Sequence, residues 1–218
     1  MHRPDVADNA LLVRPTRLTS WYTDVARRYV ADLSDALAEI DVAALGGVAQ
    51  SIVDAIRGGN TVYIAGNGGS AAAASHMASD WSAAAAGSGS PTPVIGLADN
   101  LARLTALGND TGFDQIFSLQ LAETGRAGDL LVLLSVSGSS PNLVNAAKTA
   151  RRAGMACVGF FGHAGAAARW CDDWVLLGRG DYGLAEDLHV CVNHVVVRAL
   201  RDGAAQRYLP ANGTGGPR

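Results

Sequence analysis

Apolar residues along this chain recur with two different periods, and the change between them divides the sequence. Between Thr19 and Arg57 they recur at helical spacing with one break near Asp41, which predicts two amphipathic helices. Gly58-Gly59-Asn60 then predicts the end of the second helix. Beyond this point short apolar runs alternate with helical patterns, so the sequence predicts a helical pair followed by an α/β unit.

Five apolar runs after residue 60 have the length of β-strands. They are Val62–Ala65, Val94–Leu97, Leu130–Leu134, Cys157–Phe161 and Trp174–Leu177. Helical patterns occur at Ala71–Ser82, Ala102–Leu107, Phe113–Thr124, Pro141–Ala153 and Leu184–Arg201, and the small-residue stretch Ala83–Pro93 is predicted to be a loop. Strands that are apolar on both faces and alternate with helices are typical of a parallel sheet covered on both sides. We therefore predict a doubly wound α/β fold with an added N-terminal helical pair.

The same pattern gives the expected domain boundaries. Residues 1–15 are irregular in sequence and are expected to be flexible. Residues 16–203 are predicted to form a single domain. Residues 204–218 contain glycine and proline with few large apolar side chains, so they are expected to be a flexible tail.

Composition excludes several classes of protein. The 218 residues are 49% hydrophobic and 17% charged, with a net charge of −3, which allows one domain with a sizeable core and offers no basic patch for nucleic acid. There is no apolar run of the ~18 residues that a membrane span needs, and no apolar segment of the secretory type. Cys157, Cys171 and Cys191 form no C-x-x-C pair and are expected to be reduced thiols. We expect no membrane partner and a cytoplasmic location.

The first candidate binding motif is the turn Gly66-Asn67-Gly68-Gly69-Ser70, which follows the first predicted strand and opens a helix. Glycines allow backbone N–H groups to face a ligand, and a helix N-terminus favours an anion, so Asn67, Gly68, Gly69 and Ser70 are candidate phosphate or substrate contacts. The turn lacks the lysine of a P-loop and the glycine spacing of a dinucleotide site. On its own it is equally compatible with a plain strand-to-helix connection.

The second motif is the turn Ser135-Val136-Ser137-Gly138-Ser139-Ser140, directly after the third predicted strand. Hydroxyls and backbone amides at such a turn can surround a phosphate without a lysine. One serine would be explained as a helix cap, but four at one strand end are not. Ligands of doubly wound sheets bind at the carboxyl ends of the strands, where both turns are expected. The two turns together predict a site for a phosphorylated small molecule.

Four ionisable side chains form a further candidate constellation. His76 and Asp80 are four residues apart in the helix after the first turn, so they share one helical face. Glu186 and His194 lie on nearby faces of the last predicted helix. The four could bind zinc, or they could act as an acid–base pair with supporting hydrogen bonds. His189, on the same helix, is expected to be a core or supporting residue.

With these motifs in this order, the chain resembles the sugar isomerase (SIS) domain family, and within it the sedoheptulose 7-phosphate (phosphoheptose) isomerases. The resemblance depends on the two turns, on His76, on Gly108-Asn109-Asp110, and on the helix from Glu186 to His194. It implies a five-stranded, flavodoxin-like parallel sheet and a homotetramer with active sites between subunits. It also implies conversion of sedoheptulose 7-phosphate to a D-glycero-D-heptose 7-phosphate.

The resemblance also implies roles for individual residues. Ser135, Ser137 and Ser140 match phosphate-binding serines, with Ser70 closing the neighbouring turn, and Asn67, Asn109 and Asp110 match residues that line the sugar. His76 and His194 match histidines of the metal or catalytic site, and His194 matches the proposed general acid. Asp80 stands where the usual enzyme has a glutamate base, and Glu186 where it has a glutamine. We expect Asp80 or Glu186 as the base and a zinc ion bound by His76, Asp80, Glu186 and His194.

Two alternatives to this function stay open at this point. The replacements at Asp80 and Glu186 are compatible with an isomerase of another sugar phosphate in secondary metabolism, and they leave the C2 stereochemistry of the product undecided. SIS domains also act as sugar-phosphate sensors and as protein-binding adaptors without catalysis. A pure adaptor has no need for His76, Asp80, Glu186 and His194 together, which favours the enzyme.

Overall fold

The computed structural model describes residues 20–208, with side chains described for residues 20–202. Seven α-helices and five strands follow one another in this part of the chain. Their bounds are α1 Ser20–Ala38, α2 Val42–Arg57, β1 Val62–Gly66, α3 Gly69–Gly87, β2 Val94–Gly96, α4 Leu101–Asp110, α5 Ser118–Thr124, β3 Leu130–Ser135, α6 Pro141–Arg152, β4 Ala156–Phe161, β5 Asp173–Leu176 and α7 Tyr182–Tyr208. Short 3₁₀ turns lie at Phe113–Gln115, Ala168–Trp170 and Gly178–Gly180.

The five strands form one parallel sheet in the order β2-β1-β3-β4-β5. This order reverses direction at β1 and β3, as in flavodoxin-like folds, and confirms the predicted doubly wound sheet. All residues of β1 and β3 are buried, because helices cover both faces. Gly66 pairs with Leu134, so the turns after β1 and β3 lie side by side at the carboxyl edge of the sheet.

Two apolar layers hold the helices against the sheet. On one face α2, α3 and α7 pack large side chains such as Ile52, Trp81 and Leu188 against the strands. On the other face α5 and α6 pack Leu121 and Leu143 against the sheet. The first layer fixes α3 against α7, and these two helices carry the four ionisable candidate residues.

The predicted helical pair is confirmed, and its break has a local cause. Asp41 caps α2, because its carboxylate accepts hydrogen bonds from the backbone N–H groups of Ala43 and Ala44 at 2.9 and 3.0 Å. Gly58 is the C-cap of α2, as the sequence indicates. In contrast, α1 buries only Ala36 within the described part of the chain, and several large apolar side chains of α1 are exposed.

Three boundaries differ from the prediction. The helix α3 continues through Ala83–Gly87, which was predicted to be loop, because these alanines are strong helix formers and Ala84 and Ala85 are buried. The single helix predicted over Phe113–Thr124 is a 3₁₀ turn followed by α5. The helix α7 continues to Tyr208, past position 203, where the domain was expected to end. The flexibility expected for residues 1–15, and that expected for residues 204–218 beyond Tyr208, lies outside the described residues.

Among the described helices, no single one is long and apolar enough to cross a membrane. The helices α1 and α2 meet these requirements only when taken together, and they are bent by 75° relative to each other.

Candidate active site

The serine turn, Ser135–Ser140, is held in shape by its own hydroxyl groups. Ser135 Oγ accepts a hydrogen bond from the N–H of Gly138 at 3.0 Å, and Ser137 Oγ accepts one from Ser139 N–H at 3.2 Å. Gly138 has φ = 61°, and a β-carbon there would collide with the carbonyl oxygen of His163, so the turn requires glycine. Because both hydroxyls act as acceptors within the turn, their O–H groups remain available to donate to an anion.

The glycine turn and the serine turn together line one cavity. Asn67, Ser70, Ser135, Ser137 and Ser140 all contribute to its wall, so the structure brings these five predicted phosphate contacts together. Asn67 and the buried Asn142 exchange two amide hydrogen bonds of 2.9 and 3.0 Å across the gap between the turns. This pair fixes the distance between the two turns.

Glu186 lines this cavity. Among the described residues it lies outside the group of potential metal ligands that His76, Asp80 and His194 form. Tyr182 and Glu186, both from α7, complete the cavity wall. The Glu186 carboxylate lies against the backbone of Gly69, and a β-carbon at Gly69 would overlap it. Gly69 thus lets α7 place a carboxylate at the N-terminus of α3, where the helix dipole favours negative charge.

His76, Asp80 and His194 form a separate cluster about two helical turns away. Asp80 Oδ2 lies 3.2 Å from His76 Nε2 and 3.8 Å from His194 Nε2, and one potential ligand atom from each residue lies within 4.8 Å of the others. The three side chains are 46, 32 and 55% exposed, in this order. Glu186 precedes His194 by eight residues, or about 12 Å of helix rise, which accounts for its separation from the cluster.

The cluster fits the donor set of a zinc site. Ligand atoms around a tetrahedral zinc ion lie about 3.4 Å apart, given bonds of about 2.0 to 2.1 Å, and the two measured distances of 3.2 and 3.8 Å bracket this value. Two imidazole nitrogens and one carboxylate are the donor types found in catalytic zinc sites. Among the described residues, His76, Asp80 and His194 are therefore a group that could hold the ion.

Asn193 contacts this cluster, although the sequence analysis did not single it out. Its amide Nδ2 donates a hydrogen bond of 2.6 Å to Asp80 Oδ2. Asn193 is buried, whereas the cluster itself is open on its other side. The signal in the sequence was a polar residue between Val192 and His194 in an otherwise apolar stretch of helix.

His189 is a core residue that joins α7 to the sheet. It is fully buried, and its Nε2 lies 3.2 Å from the carbonyl oxygen of Phe160, at the end of β4. Burial lowers the pKa of His189 to about 4, although the Phe160 carbonyl acts in the opposite direction. The imidazole is therefore neutral at pH 7 and donates its Nε2–H to the carbonyl, in agreement with the expected core or supporting role.

Asn109 and Asp110 lie apart from both constellations in the single chain. They are exposed at the C-terminal end of α4, where Asn109 Nδ2 donates a hydrogen bond of 2.8 Å to Asp110 Oδ1. Neither residue lines the cavity. Their expected contact with the sugar stays a prediction.

Comparison with known proteins shows the family of the chain. The SIS domain profile matches residues 25–162. The chain is 37% identical over 152 residues to a phosphoheptose isomerase of Campylobacter concisus, an alignment that covers 69% of the chain and 80% of the relative. The chain belongs to the phosphoheptose isomerase family. A second phosphoheptose isomerase, from Burkholderia pseudomallei, is 35% identical over 182 residues, with 83% of this chain and 91% of the relative covered.

Solved structures extend the comparison to the fold. Phosphoheptose isomerase GmhA of Neisseria gonorrhoeae superimposes with a TM-score of 0.75 at 27% identity, and the match covers 84% of this chain and 99% of GmhA. The Vibrio vulnificus NanR protein, solved with ManNAc-6P, has a TM-score of 0.62 at 16% identity, over 85% of this chain and 64% of NanR. At this identity the likeness to NanR shows the fold alone, whereas GmhA shares the family.

Proposed function

We propose that the chain is an aldose–ketose isomerase that converts sedoheptulose 7-phosphate to a D-glycero-D-heptose 7-phosphate. The observation that carries the proposal is the pairing of a serine-lined cavity at the carboxyl edge of the sheet with a separate His76–Asp80–His194 cluster on α3 and α7. Membership of the phosphoheptose isomerase family supports the same reaction. The chain thus has one region suited to a phosphate and a second suited to proton transfer.

The phosphate is bound at the serine turn in this proposal. Hydroxyls of Ser135, Ser137 and Ser140, together with Ser70 and Asn67, line a cavity next to the N-termini of α3 and α6. Hydrogen bonds from such groups to a phosphate are charge-assisted, and both helix dipoles add to them. Binding the remote phosphate holds the sugar while C1 and C2 are aligned with the reacting side chains.

Proton transfer between C1 and C2 needs a base and an acid, and Asp80 and His194 supply them in this proposal. Asp80 Oδ2 faces both histidines and Asn193, whereas Oδ1 makes no hydrogen bond to any described residue. Oδ1 is therefore the carboxylate oxygen left to take the proton from C1 and to return it to C2. His194 donates Nδ1–H to the C2 carbonyl oxygen and recovers a proton from the C1 hydroxyl, because its Nε2 faces Asp80 and is the atom that would bind an ion. Glu186, the other candidate base, lies with the serines at the phosphate end and is assigned to the sugar hydroxyls.

We assign a zinc ion to His76, Asp80 and His194. When bound, it would polarise the substrate oxygens on C1 and C2 as a Lewis acid. The observed separations of the donor atoms support this assignment.

We also propose a homotetramer in which subunit contacts cover the active site, in the cytoplasm. Trp21, Tyr22 and Val30 of α1 are about 60% exposed or more, which favours a partner surface. The open cluster is compatible with a second subunit closing it. Cys157, Cys171 and Cys191 are free thiols, as is typical of a reducing compartment.

The decisive experiment is incubation with sedoheptulose 7-phosphate, with and without a chelator, followed by NMR of the product. We expect an aldose 7-phosphate, loss of turnover on chelation and recovery with zinc, and the C2 configuration identifies the epimer. Fructose 6-phosphate, assayed in parallel, tests the alternative of another sugar phosphate. Binding without turnover of either ketose would contradict the enzyme and favour a sensor.

The base is identified by replacing each of the two candidate carboxylates, Asp80 and Glu186, with its amide. Asp80→Asn is expected to lower kcat by about 10²- to 10⁴-fold, because it removes the general base. Asp187→Asn is the matched control, since Asp187 is exposed on α7 and bonds to Tyr29 away from the cavity. If Glu186→Gln abolishes turnover and Asp80→Asn does not, the roles of the two carboxylates are reversed.

A further inference from the structure

Asn193 is the buried polar side chain next to the cluster to which the proposed mechanism gives no role. It lies on α7 directly before His194 and is 1% exposed. The buried side chains around it on this helix are apolar, among them Val192 and Val196. Its amide nevertheless donates a 2.6 Å hydrogen bond to Asp80 Oδ2. A buried amide is thus directed at a carboxylate of the active site.

A contribution to stability does not explain why position 193 carries an amide side chain. Asn193 Oδ1 has no hydrogen-bond partner among the described residues, although it is shielded from water. A buried acceptor without a partner lowers stability, and an apolar side chain of the same shape would avoid that loss. What Asn193 supplies, and an apolar residue could not, is the donor to Asp80.

Two separate hydrogen bonds connect Asn193 to α3. Trp81 Nε1 donates to the Asn193 backbone carbonyl at 3.3 Å, a contact that any residue at this position would keep. The side-chain amide acts instead on Asp80 Oδ2, the atom that also faces His76 Nε2 and His194 Nε2. The backbone contact therefore fixes the helices, while the side chain fixes the rotation of the carboxylate between the two imidazoles.

We propose that Asn193 is a positioning residue that orients the Asp80 carboxylate for the metal ion and for proton transfer. The inference rests on the proposed function only in taking this cluster as the metal and acid–base site. Outer hydrogen bonds to metal-binding carboxylates orient the ligand, and their loss commonly lowers metal affinity or activity by about 10- to 100-fold. Asp80 is exposed on its other side, so Asn193 is the buried contact that limits its rotation.

The test is Asn193→Leu in the full chain, because leucine keeps the branching of asparagine and removes the donor. Zinc affinity is measured by competition with a chromophoric chelator, and kcat and KM with sedoheptulose 7-phosphate. We expect zinc affinity and kcat to fall by about 10- to 100-fold, with KM little changed and the melting temperature of the metal-free protein equal or higher. A purely structural role for Asn193 would instead lower the melting temperature.

Val192→Ala is the matched control, since Val192 is 3% exposed on the same helix and its apolar side chain cannot donate a hydrogen bond to Asp80 as Asn193 does. It is expected to lower the melting temperature and leave zinc affinity unchanged. If the leucine variant does not fold, Asn193→Ala is measured in its place, with the same expected loss of zinc affinity.

The outcomes separate this inference from the proposed reaction. A zinc affinity of the Asn193 variant within about twofold of the unmodified protein would overturn the inference, whatever the turnover. Absence of zinc binding by the unmodified protein would overturn it as well. If the unmodified protein fails to isomerise sedoheptulose 7-phosphate but the difference in zinc affinity persists, the inference stands and the proposed reaction fails.

Discussion

The serine-lined cavity and the His76–Asp80–His194 cluster are built in different ways, although α3 and α7 contribute to both. The cavity is made of turns whose hydroxyls and amides already bond to one another, and Ser70 and Ser135 are buried. The cluster consists of side chains that are one third to one half exposed, with Asn193 as a buried support. The cavity is therefore held in shape by its own hydrogen bonds, whereas the geometry of the cluster depends on side-chain rotation.

This difference predicts which kinetic constant each region controls. Rigid turns that bind a part of the substrate not involved in the reaction should contribute to KM, while flexible acid–base groups should contribute to kcat. Variants of the two regions should therefore separate in a plot of kcat against KM. The predictions below test this separation, from the largest expected effect to the smallest.

The largest effect is expected at the reacting end. His194→Ala should lower kcat by about 10²- to 10⁴-fold with KM little changed, because the variant removes the general acid. Steady-state kinetics with sedoheptulose 7-phosphate measure both constants. Val195→Ala, the neighbouring partly exposed position on α7, serves as the control. A rise in KM with unchanged kcat would show that His194 contributes to substrate binding. The two regions would then not differ in the kinetic constant that they control.

An intermediate effect is expected on stability, at the residue that anchors the helix shared by both regions. The folded-state pKa of His189 is about 4, below its usual 6.5, so the unfolded chain binds the additional proton. The free energy of unfolding should therefore fall by about 3 kcal/mol as the pH drops from 6.5 to 4, and His189→Gln should remove that part of the slope. Urea unfolding across this pH range measures it. If the free energy of unfolding has the same pH dependence in both proteins, folding does not lower the pKa of His189 and the prediction is wrong.

The smallest effect is expected at the phosphate end. Ser137→Ala should raise KM by about 10-fold or more with kcat retained, because one hydrogen bond to a charged phosphate contributes about 1.5 to 3 kcal/mol. Ser139 is the matched control, since its hydroxyl accepts from Ala166 N–H outside the cavity. Equal KM values for Ser137→Ala and Ser139→Ala would mean that the phosphate binds elsewhere.

The sequence was sufficient to predict the elements that depend on local pattern. All five strands were predicted to within about one residue at each end, because their apolar runs are short and bounded by glycine or polar residues, and the central strands β1 and β3 are buried on both faces. The break at Asp41 was predicted because the helical spacing of apolar residues is interrupted there, and the structure adds that Asp41 caps α2. The length of α3 was underestimated, since Ala83–Ala86 reads as a small-residue loop until its burial is known.

The arrangement of the site depended on tertiary contacts and was only partly predictable. The serine and glycine turns were placed correctly because parallel strands bring their carboxyl ends together. Glu186 was grouped with His76, Asp80 and His194, but it lies at the cavity because Gly69 leaves room for its carboxylate. Asn193 could not be assigned from the sequence, since its role depends on the packing of α7 against α3.

The separation of Glu186 from His194 along α7 has a consequence for the choice of substrate. In the proposed function the phosphate binds at the serine turn and C1 and C2 lie at His194, so the spacing of the two regions along α7 would select the length of the sugar. A shorter sugar phosphate bound at the serine turn would then not reach His194. Inserting one residue between Glu186 and His194 would lengthen their spacing along the helix by only about 1.5 Å but rotate His194 by about 100°, away from Asp80. The number of carbons in the preferred sugar would thus depend on the spacing of two positions along one helix as much as on any single contact.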